Sequence, residues 1–185
     1  HAQQWKQRRG DFSRLDSNRI AGSGRVERFA RVGRQLLEGS GRIAPGWEVA
    51  GGYTFNTTRY LKDNTNGGAA FRTFTPKHIF QLWTTYRLPG EWNRWSVGGG
   101  VNIKSGIYTE SAVQGPVRGS SVRVSQAGYA IWNARIGYRV SDHVSLGLNV
   151  NNLFDKVYYQ RLGNADMGNA YGEPRSAMLN LRVKY

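Results

Sequence analysis

Cysteine is absent from the 185 residues of this chain, which excludes disulfide bonds and thiolate metal sites. Long apolar runs are absent as well. No stretch approaches the roughly 18 consecutive apolar residues that a membrane-spanning helix requires. An α-helical membrane protein is therefore excluded. A transmembrane β-barrel is not excluded, because its strands alternate between lipid-facing and interior residues and so hide their hydrophobicity.

Acidic residues are scarce, and the formal net charge is +14, which raises the possibility of a nucleic-acid partner. Residues 1–42 hold ten Lys/Arg and four Asp/Glu, and the remaining positive charge is spread thinly over 143 residues. A basic nucleic-acid-binding β module would be expected to place Lys and Arg together along one strand face. Because no basic run is present, we expect no nucleic-acid partner.

The end of the chain, SAMLNLRVKY, alternates strictly between apolar and polar residues. Such alternation predicts a strand with two different faces, because successive side chains point to opposite sides of a sheet. Apolar positions fall on one face and polar positions on the other. The apolar file contains Leu179, Leu181, Val183 and the terminal aromatic Tyr185.

Similar strand patterns recur from about residue 34, and their connections alternate in length. Short turns are predicted at residues 44–46, 89–94 and 141–143, whereas longer connections are predicted at residues 61–74, 109–121 and 155–175. This rhythm is typical of an up-and-down transmembrane barrel with short periplasmic turns and longer external loops. The predicted fold class is all-β: an antiparallel up-and-down transmembrane β-barrel segment, with six or seven strands of a larger barrel.

Aromatic residues near the predicted strand ends support a membrane setting, because aromatic girdles lie at the two bilayer interfaces. These residues are Trp47, Tyr86, Trp95 and Tyr138. Alternating strands with Gly-rich turns also describe soluble barrels and sandwiches, so a soluble barrel carrier stays open as an alternative. A general diffusion porin is a further alternative.

Residues 1–33 differ from the rest of the chain. They are rich in Arg and Gly, and neither helical nor strand periodicity lasts more than a turn or two. We predict that this atypical basic segment is disordered or, as a hypothesis, translated out of frame from a GC-rich gene. Translating the upstream DNA in three frames tests the hypothesis, which fails if no alternative frame yields a strand pattern.

Three segments carry a distinctive pattern: PKHIFQLWTTYRLPG (residues 76–90), VNNLFDKVYYQ (residues 150–160) and GNAYGEPRSAMLNLRVKY (residues 168–185). One strand ends in N-N-L-F-D-K-x-Y-Y, and the last strand opens after Y-G-E-P-R. Together they closely resemble the C-terminal end of TonB-dependent outer-membrane receptors, most of all ferric siderophore receptors of the hydroxamate and pyoverdine type. The resemblance covers about residues 35–185, and residues 34–185 are predicted to be the barrel portion.

The resemblance implies a portion of a 22-stranded barrel in the bacterial outer membrane. Such receptors bind and import ferric siderophores with energy from TonB. The sequence contains no match to the family's plug domain or TonB box, so contacts with the TonB complex are expected through regions outside these residues. Outer-membrane lipid and the barrel assembly machinery are further expected partners, the latter through Leu179, Leu181, Val183 and Tyr185. Alone, the segment is not expected to transport.

Catalytic and metal-binding patterns are missing from the sequence: the three histidines have no ligand spacing, and no serine has triad partners nearby. We predict no enzyme, no catalytic residue, no metal ligand and no cofactor, apart from iron carried inside a bound siderophore. Asp155 is interpreted as a turn cap, and residues 173–175 as the entry to the last strand. Candidate ligand-binding residues on the long connections or at the outer ends of the interior strand faces are Tyr108, Tyr158, Tyr159, Arg161 and Tyr171. For Tyr158, Tyr159 and Tyr171 the alternative is a place in the aromatic girdle or packing within the loops.

Overall fold

The computed structural model describes residues 4–10, 29–62, 73–112, 121–163 and 168–185. Within these ranges the chain is built from β-strands, with one short 3-10 turn at Gly90–Trp92. The strands are β1 Gln4–Gly10, β2 Phe29–Ala44, β3 Trp47–Lys62, β4 His78–Arg87, β5 Trp95–Lys104, β6 Ile107–Ala112, β7 Ser121–Gln126, β8 Tyr129–Arg139, β9 Val144–Asn151, β10 Tyr159–Arg161, β11 Ala170–Tyr171 and β12 Ser176–Val183. No helix in the described ranges is long and apolar enough to cross a membrane.

One antiparallel sheet contains eight of these strands, in the order β1-β2-β3-β4-β5-β8-β9-β12. Neighbours in this sheet are also successive long strands in the chain, which is an up-and-down arrangement. The predicted all-β class and antiparallel order are confirmed. The sheet is open in the described residues, because β1 and β12 lie at its two edges and do not pair with each other.

Two smaller strand pairs extend the sheet at the end where the long connections lie. β6 and β7 continue the β5–β8 hairpin in the same register, since Ile103 pairs with Ala130 and Ile107 with Gln126. Short breaks at residues 105–106 and 127–128 separate the two parts. β10 and β11 form a second small pair between β9 and β12. The long-loop end therefore carries strand pairs beyond the sheet, whereas the strands at the other end are joined by short turns at residues 45–46, 88–94 and 140–143.

The sheet has one apolar and one polar face, as the alternation predicted. Direct cross-strand partners include Phe80 with Ile103, and Leu148 with both Ile136 and Leu179. Large apolar side chains stay exposed on this face: Leu37, Tyr53, Phe80, Leu82, Val97, Ile103, Trp132, Ile136, Leu146, Leu148, Leu179, Leu181 and Val183. Leu179 is 73% exposed. An apolar surface of this extent is typical of an interface with another apolar phase.

Aromatic pairs border the apolar face at both ends. Near the short turns, the rings of Trp47 and Tyr86 are 5.9 Å apart, and those of Trp95 and Tyr138 are 4.5 Å apart. Near the long loops, Phe55 packs on the His78 ring at 5.0 Å. The eight residue-to-residue steps from Trp47 to Phe55 span about 26 Å along β3, close to the roughly 25 Å apolar band of outer-membrane barrels.

Two large side chains that interrupt the apolar file of β4, Ile79 and Trp83, belong to the polar face. The glycine-rich stretch of β5 makes room for Trp83: a Cβ at Gly100 would collide with its ring, and one at Gly98 would lie 3.3 Å from it. The indole nitrogen donates to Thr85 Oγ1 at 3.0 Å. Gly98 and Gly100 therefore make room for the Trp83 ring.

The N-terminal segment lies partly inside the described ranges. Residues 4–10 pair with β2 as an edge strand, and β2 begins at Phe29 rather than near residue 34. Residues 1–3 and 11–28 lie outside the described residues. The proposal of a disordered or out-of-frame segment over residues 1–33, and the boundary at 34, stay predictions.

Candidate ligand-binding site

Asn152 organises the long-loop end of the sheet. It is a buried polar residue, only 3% exposed, with a positive φ of 48°. Its side-chain nitrogen donates to the carbonyl oxygens of Lys156 and Glu173, each at 3.0 Å, and its Oδ1 accepts from Lys156 N–H at 2.8 Å. Its own N–H donates to Asn133 Oδ1 at 3.1 Å. One side chain thus ties the end of β9 to the segment before β12.

A second bond connects the same two segments. Arg175 N–H donates to Asp155 Oδ1 at 2.9 Å, and Asp155 N–H donates to the carbonyl of Asn152 at 2.8 Å. Asp155 also has a positive φ, 52°. It therefore acts as a cap, as interpreted from the sequence, and its partner lies at the entry to the last strand. The N-N-L-F-D and G-E-P-R segments form one hydrogen-bonded unit.

Tyr158 packs into the structure beneath this unit. Its ring lies 4.6 Å from that of Tyr129, which is only 8% exposed. Gly172 makes this position possible, because a Cβ there would collide with the Tyr158 ring. Gly172 N–H also donates to the Tyr158 carbonyl at 2.8 Å. Tyr158 is half-buried, and its contacts are those of a packing residue.

Tyr159 and Tyr171 form a more open pair above it. Their rings stack at 4.6 Å with an interplanar angle of 19°, and their hydroxyl oxygens are 3.2 Å apart. The hydrogen bond with Tyr171 raises the pKa of Tyr159 above its ordinary value of 10.0, because the shared proton favours the neutral phenol. Tyr171 is 65% exposed. This pair presents aromatic faces and hydroxyl groups to the outside.

Tyr108 belongs to a neighbouring cluster on the β6–β7 arm. The guanidinium of Arg123 lies 3.7 Å from the centre of the Tyr108 ring, a cation–π contact. The same guanidinium is 3.9 Å from a carboxylate oxygen of Glu110. Gln126, on the same arm, accepts from Tyr159 N–H at 3.0 Å through Oε1. This bond joins the arm to the β10–β11 pair.

The structure thus brings Tyr158, Tyr159 and Tyr171 together and connects them to the arm that carries Tyr108. Arg161 lies in β10, and its exposed guanidinium has no ion-pair partner among the described residues. That any of these five candidate residues contacts a ligand stays a prediction.

Sequence reasoning missed Arg123, Gln126, Tyr129 and Gly172. Pairing β6 with β7 in continuous register would have placed Arg123 opposite Glu110. The other three positions depend on contacts that sequence spacing does not reveal.

In the described residues, no three His, Asp or Glu side chains are grouped so that they could hold a metal ion. What the site offers is ring faces, phenolic hydroxyls and two guanidiniums. Such groups suit a bulky ligand with polar edges and flat surfaces.

The predicted assembly residues lie on the edge strand. Leu179 and Leu181 pair with Leu148 and Leu146 through the backbone, and Val183 pairs with Val144. Their side chains are exposed on the apolar face, at 73%, 65% and 53%. Tyr185 follows the end of β12 and is fully exposed.

Comparison with known proteins shows which family this chain is similar to. The family profile described as "TonB dependent receptor-like, beta-barrel" matches residues 35–153. The ferric-pyoverdine M114 receptor PbuA of Pseudomonas sp. (strain M114) is 37% identical over 150 residues, which cover 80% of this chain and 17% of that protein. The catecholate siderophore receptor Fiu of Escherichia coli (strain K12) is 30% identical over 164 residues, or 85% of this chain and 20% of that protein.

Among solved structures, the pyoverdine outer membrane receptor FpvA from Pseudomonas aeruginosa PAO1 bound to pyoverdine superposes with a TM-score of 0.77 at 27% identity. The match covers 94% of this chain and 25% of that one. The chain thus spans about a fifth of the length of the curated relatives it matches. The homologous receptors are β-barrel proteins of the bacterial outer membrane and act as receptors rather than enzymes. On the family match, the sequence identity and the superposition together, this chain belongs to the TonB-dependent receptor β-barrel family.

Proposed function

We propose that this chain forms part of the barrel wall of an outer-membrane receptor that binds and imports ferric siderophores with energy relayed by TonB. The proposal rests on one observation: the same sheet has an apolar face and, beyond its long-loop end, a cluster of aromatic and basic side chains. An exposed apolar face bordered by aromatic pairs suits lipid, and a cluster of tyrosines and arginines projects beyond it at the long-loop end. A bilayer and an external ligand are the environments that these two features fit.

Ligand recognition at the long-loop end would use aromatic faces and hydrogen-bond donors. A ferric siderophore is bulky and polar, and its chelating groups already saturate the iron, so no protein metal ligand is needed. The stacked Tyr159–Tyr171 pair and the Arg161 guanidinium supply surfaces and donors of the right kind. The site holds no resident cofactor in this proposal, and the receptor performs no enzymatic step.

Two further partners follow from the same proposal. The apolar file of Leu179, Leu181, Val183 and Tyr185 on an exposed edge strand offers the barrel assembly machinery a strand to pair with and aromatic and apolar side chains to bind. The TonB complex would act through parts of the receptor outside this sequence.

A receptor needs more strands than this sheet supplies. Two unpaired edges in hydrocarbon would leave backbone N–H and C=O groups without partners, at several kcal/mol each. For this reason the 185 residues alone are not expected to transport, and a test requires a closed barrel.

The decisive experiment is a chimera in which residues 35–185 replace the matching segment of PbuA. We expect the chimera to reach the outer membrane and to restore uptake of iron-55 as ferric pyoverdine or a ferric catecholate in a receptor-deficient strain. Uptake should disappear when TonB is deleted. A chimera that inserts but admits small solutes without selectivity or TonB would contradict the proposal and favour a porin.

Site variants make the experiment sharper. Tyr171→Ala together with Tyr159→Ala should weaken ferric siderophore binding at least tenfold. Trp92→Ala is the matched control, because Trp92 is 64% exposed, as Tyr171 is 65% exposed, but lies in the 3-10 turn at the opposite end. Equal losses from both ends would mean that the tyrosines act through folding and do not bind ligand.

A further inference from the structure

The β10–β11 pair carries the stacked tyrosines Tyr159 and Tyr171 but is too small to hold its own position. Three residues pair with two, and the register shifts between Tyr159 and Arg161. A hairpin of only two strands is marginally stable in water even when it is longer than this. Contacts with the rest of the structure must therefore fix the place of the two rings.

The base of the neighbouring β6–β7 arm is firmly held. Its first residue, Ile107, is only 5% exposed. Tyr108 N–H donates to the Thr73 carbonyl at 3.1 Å. Just before the arm, Ser105 N–H donates to the His78 carbonyl at 2.9 Å, and Ser105 Oγ accepts from His78 N–H at 3.1 Å. The arm base is thus fixed both to the start of β4 and to the connection before it.

Gln126 connects this base to the tyrosine pair. It lies opposite Ile107, and its Oε1 accepts from Tyr159 N–H at 3.0 Å. Its Nε2 donates to the Ala127 carbonyl at 3.0 Å, which determines the end of the amide that faces Tyr159. The ring of Tyr158 anchors the start of the same segment by packing. Two contacts at adjacent residues restrict rotation of the segment, which a single contact would allow.

We propose that Gln126 is a positioning residue, which holds the Tyr159–Tyr171 pair beside the Tyr108 cluster so that one ligand contacts both. Tyr108 is opposite Ser125, the residue before Gln126, so this cluster and the bond to Tyr159 lie at the same end of the arm. A ligand binds more tightly to groups that are already in place, because less conformational entropy is lost on binding. The positioning role depends only on these contacts, whereas the contribution to ligand binding rests on the proposed function.

The first measurement is a distance in the chimeric receptor and needs no ligand. Spin labels are attached at Val122→Cys on the arm and Ala170→Cys on β11, both exposed positions, with any other cysteine replaced by serine. Gln126→Leu removes the acceptor at similar size, and Gln126→Glu keeps an oxygen acceptor. The distance distribution should be narrow in the parent and in Q126E, and at least twice as wide in Q126L. Equal widths in Q126L and the parent would overturn the positioning role.

Gln160→Leu is the matched control. It removes the same amide from an exposed position in β10 that forms no side-chain hydrogen bond with any described residue. The distribution should keep the parent's width in this variant, and widening equal to that of Q126L would contradict the proposal. Gln126→Ala is a second variant without an acceptor, which replaces Q126L if the leucine prevents folding and should widen the distribution in the same way.

Uptake kinetics separate positioning from a loss of folded receptor. The substrate is iron-55 as ferric pyoverdine or a ferric catecholate, whichever the parent chimera imports. Q126L should raise the half-saturation concentration at least fivefold and change the maximal rate less than twofold, and Q126E should stay within threefold of the parent in both. A lower maximal rate at an unchanged half-saturation concentration would contradict the proposal.

Two outcomes distinguish this inference from the proposed function. If the parent chimera imports no ferric siderophore, the proposed function fails, and the distance measurement still determines whether Gln126 positions the pair. If Q126L widens the distance distribution but leaves the half-saturation concentration unchanged, the tyrosine pair does not contact the ligand, and the proposed contribution of Gln126 to binding is overturned.

Discussion

The two ends of the sheet use the same alternating strands for different chemistry. At the long-loop end, the side chains of Asn152 and Asp155 form hydrogen bonds to the backbone of the loops. Tyrosine rings there pack in pairs. At the short-turn end, arginines from three strands lie around the glycine pair Gly137–Gly147 and form no ion pair with another described residue. The strand pattern determines the face of the sheet on which a residue lies. The difference between the two ends of the sheet comes from the loops and turns that connect the strands. The long loops add a hydrogen-bonded platform, whereas the short turns leave the sheet surface open.

Removing the central residue of the long-loop end should have the largest effect. Asn152→Ala deletes three side-chain hydrogen bonds, so the carbonyls of Lys156 and Glu173 and the N–H of Lys156 lose this partner. Alanine also adopts a positive φ less readily than asparagine does. We expect a loss of about 4 kcal/mol in the free energy of unfolding, measured by urea titration of the chimeric receptor in micelles. Asn151→Ala is the control, since its exposed side chain makes a single 3.5 Å contact with Ser176. Similar losses in both variants would show that Asn152 is not the organising residue.

Charge on the apolar face tests the orientation of the sheet. Leu179→Arg should cost about 3 kcal/mol in a bilayer, because a guanidinium near the middle of the lipid face loses its hydration. Met178→Arg introduces the same group one residue earlier, on the polar face, and should cost less than about 1 kcal/mol. Unfolding in lipid vesicles measures both. A reversed order would mean that the apolar face is not the one in contact with lipid.

Disturbing the packing of Tyr158 against Tyr129 should lower the free energy of unfolding by a smaller amount. Gly172→Ala pushes its Cβ against the Tyr158 ring and separates it from Tyr129. We expect a loss of about 2 kcal/mol and a reduced near-ultraviolet dichroism signal from tyrosine. Gly41→Ala is the matched control, because nothing lies within 4 Å of a Cβ at that position. If the two variants behave alike, the Tyr158 packing contributes little.

The smallest effect concerns the exposed tyrosine pair. Tyr159 has a raised pKa because its neutral hydroxyl shares a proton with Tyr171. The associated stabilisation is present below the ordinary tyrosine pKa near 10 and is lost as the pH rises through the higher folded value. Tyrosinate absorbance should show one delayed ionisation, which Tyr171→Phe moves to lower pH. An identical titration curve for this variant would rule out the hydrogen bond in solution.

Much of the fold could be predicted from the sequence, because alternation and turn residues are local signals. The faces of β12, the short turns and the antiparallel order all follow from spacing. From the sequence, the positive charge was expected to be scattered, but the sheet brings part of it together. Arg87, Arg135 and Arg182 are distant in the chain and lie at one site only because their strands are in the same sheet. The role of Asn152 was equally hidden, since its partners depend on a positive φ and on a segment 21 residues away.

The most direct test of the two-faced sheet uses the absence of cysteine from these 185 residues, with any cysteine in the rest of the chimeric receptor replaced by serine. Single cysteines would be placed at successive positions 176–183 in the chimeric receptor, spin-labelled and reconstituted in a bilayer. Collision rates with oxygen, which concentrates in lipid, and with a water-soluble nickel chelate would then be compared. We expect a period of two, with oxygen favoured at 177, 179, 181 and 183 and nickel favoured at the positions between them. Uniform accessibility along the strand would contradict a barrel wall between lipid and a wet interior.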